Sequence, residues 1–414
     1  MSNLLKEANF PDGWVAKKRK KGEEDLPIEL IPQSLHIGLW VKALKTLGQK
    51  LRFNLITLEP ELNGIPFQPN ELDTLYCLLG EHGYSISKLQ AIDGVVFASM
   101  QNSYNPVQEE LINIENNENI TPVDIDKLAT EYLGTNDPLY DAMLAACCIG
   151  AIARAFDYGC KMQYVLCLKG KQGLKKSEFW RILAGEYFCE TEQGNFKDLK
   201  LAMNCCWIYE YPEIEQLTTR KDVGQIKSLI TAQKDRFRLP YGSSIGTYPR
   251  KSILVGSLNE DEFLRDKTGN RRFWIIELPL DPDIGEQLDT DKLTRDRERI
   301  LKAAIIAHRS GRLPMMTLEQ QNESNRRNLD YESQHPYQDA IEKELRKWGS
   351  ETEFSIQGLL SDAGIKTEIK EIKQQDMYDV AKILKTLGYK KTGGQNKCPI
   401  TNSRARLWKK CLQK

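Results

Sequence analysis

VLCLKGKQGLKKSEFW, residues 165–180, sets an apolar run against a glycine-bearing turn and then a helix-forming segment. Tyr164 to Leu168 reads as a short strand buried on both faces. Gly170 and Gly173 give the following turn the backbone freedom to wrap its N–H groups around phosphates, with Gln172 between them. Lys176 stands where a lysine would reach the β- and γ-phosphates, and Ser177 where a hydroxyl would ligate Mg²⁺. A helix over Glu178–Phe188 would aim its positive dipole end at the same point. The full loop pattern is G-x-x-x-x-G-K-[ST], whereas this chain reads G-K-Q-G-L-K-K-S, so Lys175 replaces one of the two defining glycines. A positive φ at Lys175 would carry strain, because only glycine adopts that backbone freely. A plain lysine-rich turn between a strand and a helix is the competing account.

Outward from this stretch, apolar runs recur as CCWIYE, KSILVGSL and RFWIIEL, with helical segments between them. That alternation predicts a parallel sheet covered by helices, whose ligands sit at the carboxyl ends of the strands. The second run ends in Glu210, with Glu213 three residues on. An acid at a neighbouring strand tip can hold Mg²⁺ and orient an attacking water, although both could be surface carboxylates of a following helix. The third run ends in Asn259, an amide placed to polarise that water, or a turn residue. Arg265, Arg271 and Arg272 surround a Gly-Asn turn, either as structural ion-pair partners or as arginines offered to a neighbouring subunit's nucleotide.

The 414 residues suffice for two or three domains. Ten cysteines, two pairs of them adjacent in apolar runs, form no C-x-x-C, and four scattered histidines show no ligand spacing. Buried thiols in a reducing cytoplasm are expected, and neither a zinc nor a histidine-based metal site. No apolar run is long enough to be read as a membrane span, and the N-terminus lacks a signal-peptide core, so a cytoplasmic protein is expected. Formal net charge is zero, yet no acidic residue follows Asp379 while ten basic ones do. The C-terminal region is therefore the better nucleic-acid candidate.

Four regions are expected. Residues 1–34, with KKRKKGEED, read as a mobile tail or a nucleic-acid arm. Residues 35–155 read as a mainly helical domain, with RFNLITLEPELNGIPF as a short strand pair. Residues 156–330 hold the nucleotide fold. Residues 337–414 give three helices and a basic hairpin around Gly393 and Gly394, the layout of a winged helix. Its third helix would read a groove, with Lys390, Lys391, Arg404 and Arg406 on phosphates, unless the module packs on the motor or on a partner protein.

With these features in chain order, the sequence resembles the virulence-associated E family of mobile-element replication proteins, relatives of poxvirus-type and superfamily III helicases. The segments LKGKQGLKKS, IKSLITAQKDRFRLPYG, YPRKSILVGSLNEDEFLRDKTGNRRFW and RDRERILKAAIIAHRSGRLPM carry the likeness. The resemblance implies an AAA+ P-loop core and an ATP- and Mg²⁺-dependent motor that rings DNA, usually as a hexamer. Lys176 and Ser177 would be its Walker A pair, Glu210 and Glu213 its Walker B acids, Asn259 its sensor, and Arg271 or Arg272 its finger. A pore hairpin before the sensor strand would grip single-stranded DNA through Arg236, Arg238, Tyr241 and Lys251. Family members have glycine at the position of Lys175, which leaves a second reading, an origin-binding or interference protein that does not hydrolyse nucleotide. An ATPase switch acting on protein partners is a third. No primase domain is expected, so primers would come from a separate primase or polymerase.

Overall fold

A computed structural model describes residues 2–18, 27–190, 196–214, 223–239, 244–259, 264, 270–332, 337–349, 352–366, 371–393, 396–398 and 404–410. Tyr241, Arg265, Gly394 and most of the basic run after Lys17 lie outside them. The chain forms two compact units, Met1–Asp330 and Tyr331–Lys414.

The first unit is built on five parallel strands: β1 (Val165–Lys169), β2 (Phe188–Glu190), β3 (Ile208–Tyr211), β4 (Ile253–Leu258) and β5 (Phe273–Glu277), in the order β5-β1-β4-β3-β2. The inner strands β1, β3 and β4 and the edge strand β5 are almost wholly buried, which is why they read as continuous apolar stretches rather than as alternating ones. Three helices complete the core: α1 (Pro138–Phe156), α2 (Lys176–Ala184) and α3 (Thr290–Arg309). Asp137 caps α1 by accepting from Leu139 N–H, with Pro138 in the first turn, and Asp289 caps α3 by accepting from Lys292 N–H.

Two boundaries differ from expectation. The helix after the loop stops at Ala184, because Gly185 takes φ 61° and ends it. The chain then makes β2, an edge strand too short to show a period in sequence. Further upstream, α1 is apolar on every side and long enough to cross a membrane, yet its side chains are buried within the protein. It shares one core with the sheet, as do Val107, Leu111 and Leu133, so the region after about residue 106 packs with the parallel sheet and not as part of a separate helical domain.

Residues before that point hold more strand than expected. Leu51–Asn54 and Glu59–Leu62 pair as the strand pair read from the sequence, and Ile65–Pro66 and Ser103–Tyr104 extend them to four strands. The N-terminal segment is no tail over its described residues. Leu4 and Leu5 are buried with Trp40, Leu44 and Leu79, and Trp14–Ala16 pairs with Leu30–Ser34. Apolar side chains in a short N-terminal helix were enough to anchor it, despite the charge run that follows.

Tyr331–Lys414 has its own core of Ile341, Leu359, Leu360, Val380, Leu384 and Trp408. Helices Gln338–Trp348, Ile356–Asp362 and Gln374–Thr386 precede two antiparallel ladders, Tyr389–Lys391 with Trp408–Lys410 and Asn396–Lys397 with Arg404–Ala405.

Candidate functional site

The loop between β1 and α2 turns at Gly170, where a Cβ would meet Leu174 Cδ1 at 2.7 Å. Leu174 is buried and pins the loop to the core, which exposes Lys171, Gln172 and Gly173. Lys175 then occupies the residue before the helix with φ 60° and ψ 34°. The conditional expectation from sequence is met: a lysine sits in a left-handed conformation that costs a residue with a Cβ about 1 kcal/mol relative to glycine. Its ammonium reaches Thr290 Oγ1 at 3.3 Å, at the start of α3.

Lys176 opens α2 and is nearly buried. Its ammonium donates to the carbonyls of Gly170 and Lys171 and, at 2.8 Å, to Asn259 Oδ1. Because β4 lies beside β1, the residue just past the end of β4 meets the residue that opens α2. The next strand on that side is β3, whose penultimate residue is Glu210.

Glu210 is completely buried, and neither carboxylate oxygen completes a hydrogen bond with the described residues. Burial pushes its pKa up to about 7. The hydroxyls of Ser177 and Ser257 hold it down in part, Glu190 adds to the rise, and the Lys176 charge opposes it. A buried carboxylate beside the hydroxyls of Ser177 and Ser257, with no bond of full geometry to either, suits a divalent cation, which would offset the desolvation of the acid. Glu213 sits differently, exposed on a left-handed turn at φ 48°. Among the described residues no cluster of three or more His, Cys, Asp or Glu is arranged to hold a metal by protein ligands alone.

Arg271 and Arg272 are not part of this constellation. They form a single turn just before β5, whose first residue pairs with the first residue of β1. The phosphate-loop candidate lies past the far end of β1, a separation of about 13 Å along the strands alone.

Residues around the loop that the sequence reading passed over hold it in place. Lys169 pairs with Glu277, and Lys171 lies between Asp281, at 2.8 Å, and Asp283, at 2.6 Å. The signal was present as LDPDIGE, an acidic turn just past the tip of the strand beside β1.

The candidate DNA residues divide. Lys234–Arg238 and Ile245–Pro249 form the expected antiparallel hairpin, with Arg236 and Arg238 exposed. Lys251 contradicts its assignment: it is buried, donates to the Leu55 carbonyl, and burial pushes its pKa down to about 8. A lysine two residues before the inner strand β4 has followed the chain into the core. Its neighbour Arg250 is buried as well, paired with Asp235 through two 2.8 Å bonds. In the C-terminal unit, Lys390, Lys391, Arg404 and Arg406 are all exposed.

Among solved structures, the chain resembles the apo structure of the NrS-1 C-terminal region (305–718), with 14% identity, a TM-score of 0.45, and coverage of 89% of this chain and 97% of that one. The A-form apo structure of the same region matches 66% of this chain and 65% of its own length at 15% identity and a TM-score of 0.37. A search of curated proteins finds no match. The virulence-associated protein E-like domain matches residues 114–335, more than half of the chain and the whole of the parallel sheet. The chain belongs to the virulence-associated protein E-like family.

Proposed function

We propose that this protein is an ATP- and Mg²⁺-dependent DNA motor of the AAA+ P-loop class, acting as a ring in the replication of a phage, plasmid or genomic island. The observation that carries the reading is the convergence of Lys176, Asn259 and buried Glu210 at the carboxyl ends of the adjacent strands β1, β4 and β3. Ser177 and Glu210 would hold Mg²⁺, and the loop N–H groups with Lys176 would hold the phosphates. Bound nucleotide supplies the phosphoanhydride bond whose cleavage drives movement. Lys176 exchanges its loop carbonyls for phosphate oxygens, and Asn259, released from the lysine, orients water. Glu210, kept as a carboxylate by the metal, would help orient the attacking water through it. Arg271 and Arg272 lie at the wrong end of the strands to serve their own loop, which favours a role on a neighbouring copy's nucleotide. The hairpin bearing Arg236 and Arg238 would contact single-stranded DNA, and the C-terminal unit, read as a winged helix, would contact duplex.

The left-handed backbone of Lys175 favours one alternative, a protein that binds nucleotide and DNA without turnover. Mg²⁺-dependent ATP hydrolysis with and without single-stranded DNA separates the two. The motor reading expects DNA-stimulated turnover in the wild type and a loss of at least about 100-fold in Lys176→Ala. Lys175→Gly should keep that turnover and raise stability by about 1 kcal/mol in urea unfolding. An inert wild type whose turnover appears in Lys175→Gly would establish the alternative.

A further inference from the structure

The end of the sheet opposite the phosphate loop carries a cavity of about 780 Å³ beside the start of β5. Trp274, Leu313, Met315, Met316 and Leu318 form its apolar wall, and Met315 and Leu318 are 63% and 80% exposed at its mouth. An apolar opening of this size calls for an occupant that brings a hydrocarbon side chain.

A knob of that kind stands at the loop end of the same unit. The turn Pro282–Ile284 raises Ile284, 73% exposed, between Asp283 and Gly285, which closes the turn at φ 84°. Its shape is fixed before any contact: Asp281 caps the turn by accepting from Asp283 N–H, and Lys171 ties down both aspartates. Glu286 accepts from Asp281 N–H at 3.0 Å. An exposed apolar tip held this rigidly loses little freedom on docking.

Charge also matches. The knob carries Asp281, Asp283 and Glu286 against the single cation Lys171, a surplus of negative charge. Around the cavity stand Arg271, Lys161 and Arg312 against Asp157, with Arg312 already paired to Asp126.

We propose that the cavity receives the Pro282–Ile284 turn of a second copy of this chain. Ile284 enters beside Met315 and Leu318, and the acidic turn faces Arg271 and Lys161. Knob and cavity lie at opposite ends of the strands, so the contact is head-to-tail and propagates into a ring or filament. It brings Arg271, on the cavity rim, to the partner's Lys171 loop, and on that point alone it rests on the motor reading.

Sedimentation velocity of the full chain over a concentration series, with and without magnesium and a non-hydrolysable ATP analogue, tests the contact. Wild type assembles beyond a dimer, whereas Ile284→Arg and Met315→Asp each weaken assembly at least tenfold. Mixed in equal amounts, the two variants form one-to-one dimers and stop there, because one copy keeps its cavity and the other its knob. Asp283→Lys replaces Ile284→Arg should the unfolding midpoint of the latter fall. A wild type that stays monomeric throughout overturns the contact, as do variants that assemble like wild type or a mixture without dimers. ATPase rates taken in parallel keep the two readings apart: assembly without hydrolysis sinks the motor and leaves the interface, and hydrolysis by a monomer does the reverse.

Discussion

Glu210 is where the energetics of the site can be read from one residue. Its pKa of about 7 in the folded protein exceeds the ordinary 4.5, and burial is the largest cause. Between those values the folded protein retains a proton that the unfolded chain has released, so stability falls as pH rises through that window. The full difference amounts to about 3 kcal/mol. Glu210→Gln should therefore be more stable than wild type at pH 8, equal to it near pH 4.5, and inert in hydrolysis. Urea unfolding between pH 4.5 and 8 measures this, and parallel curves for the two proteins would rule out the buried acid as the source of the slope. From sequence, Glu210 and Glu213 were equivalent candidates. Only the register of β3 distinguishes them, placing Glu210 inside the sheet and Glu213 on an exposed turn. Lys175 shows the same limit: the loop pattern flagged the residue, but the sign of its φ is a property of the folded backbone.

The hairpin between Lys234 and Pro249 shows how an element can separate anchoring from contact. Along its first strand the side chains alternate, with Asp235 and Phe237 inward and Lys234, Arg236 and Arg238 outward. Asp235 is held by Arg250 and by Asn204, while Arg154 donates to the Arg250 carbonyl, so the base of the hairpin is tied to α1 by buried charge. Removing the outward pair, Arg236→Ala with Arg238→Ala, should leave stability unchanged and reduce the slope of log affinity for single-stranded DNA against log salt by about 1.4. Arg250→Ala strands Asp235 in the interior and should cost about 3–5 kcal/mol. Equal unfolding midpoints for the two variants would remove the distinction between base and edge. The hairpin was legible only through the family resemblance, which places one just before the strand that ends at Asn259. That Arg250 and Lys251 face the core was not, because residue type says nothing of where the chain enters the sheet. The edge strand β2 was missed for a related reason, as three residues cannot display a period of two.

At the scale of the whole molecule, a net charge of zero conceals an uneven distribution. The unit Tyr331–Lys414 ends in a ribbon of two short ladders along which Lys390, Lys391, Arg404 and Arg406 are exposed, with Lys391 at 5.5 Å over the Trp408 ring. Its helices were legible from their apolar stripes, and the second also from a start signal, Ser355, which accepts from Gly358 N–H. The N-terminal region was not, because its strands are short and its anchoring depends on Leu4 and Leu5 meeting Trp40 across the sequence. If the ribbon binds duplex phosphates, changing all four basic residues to glutamine in the full chain removes up to four displaced counterions. The slope of log affinity for duplex DNA against log salt should then become shallower by about 3.6. The hairpin variant should leave that duplex slope intact while altering the single-strand slope, because separate elements supply the two contacts. If the two variants instead shift both slopes together, the chain has one shared nucleic-acid surface, and the assignment of duplex to the C-terminal unit is wrong. An unchanged duplex slope in the glutamine variant would turn the ribbon from a DNA contact into a surface for a protein partner.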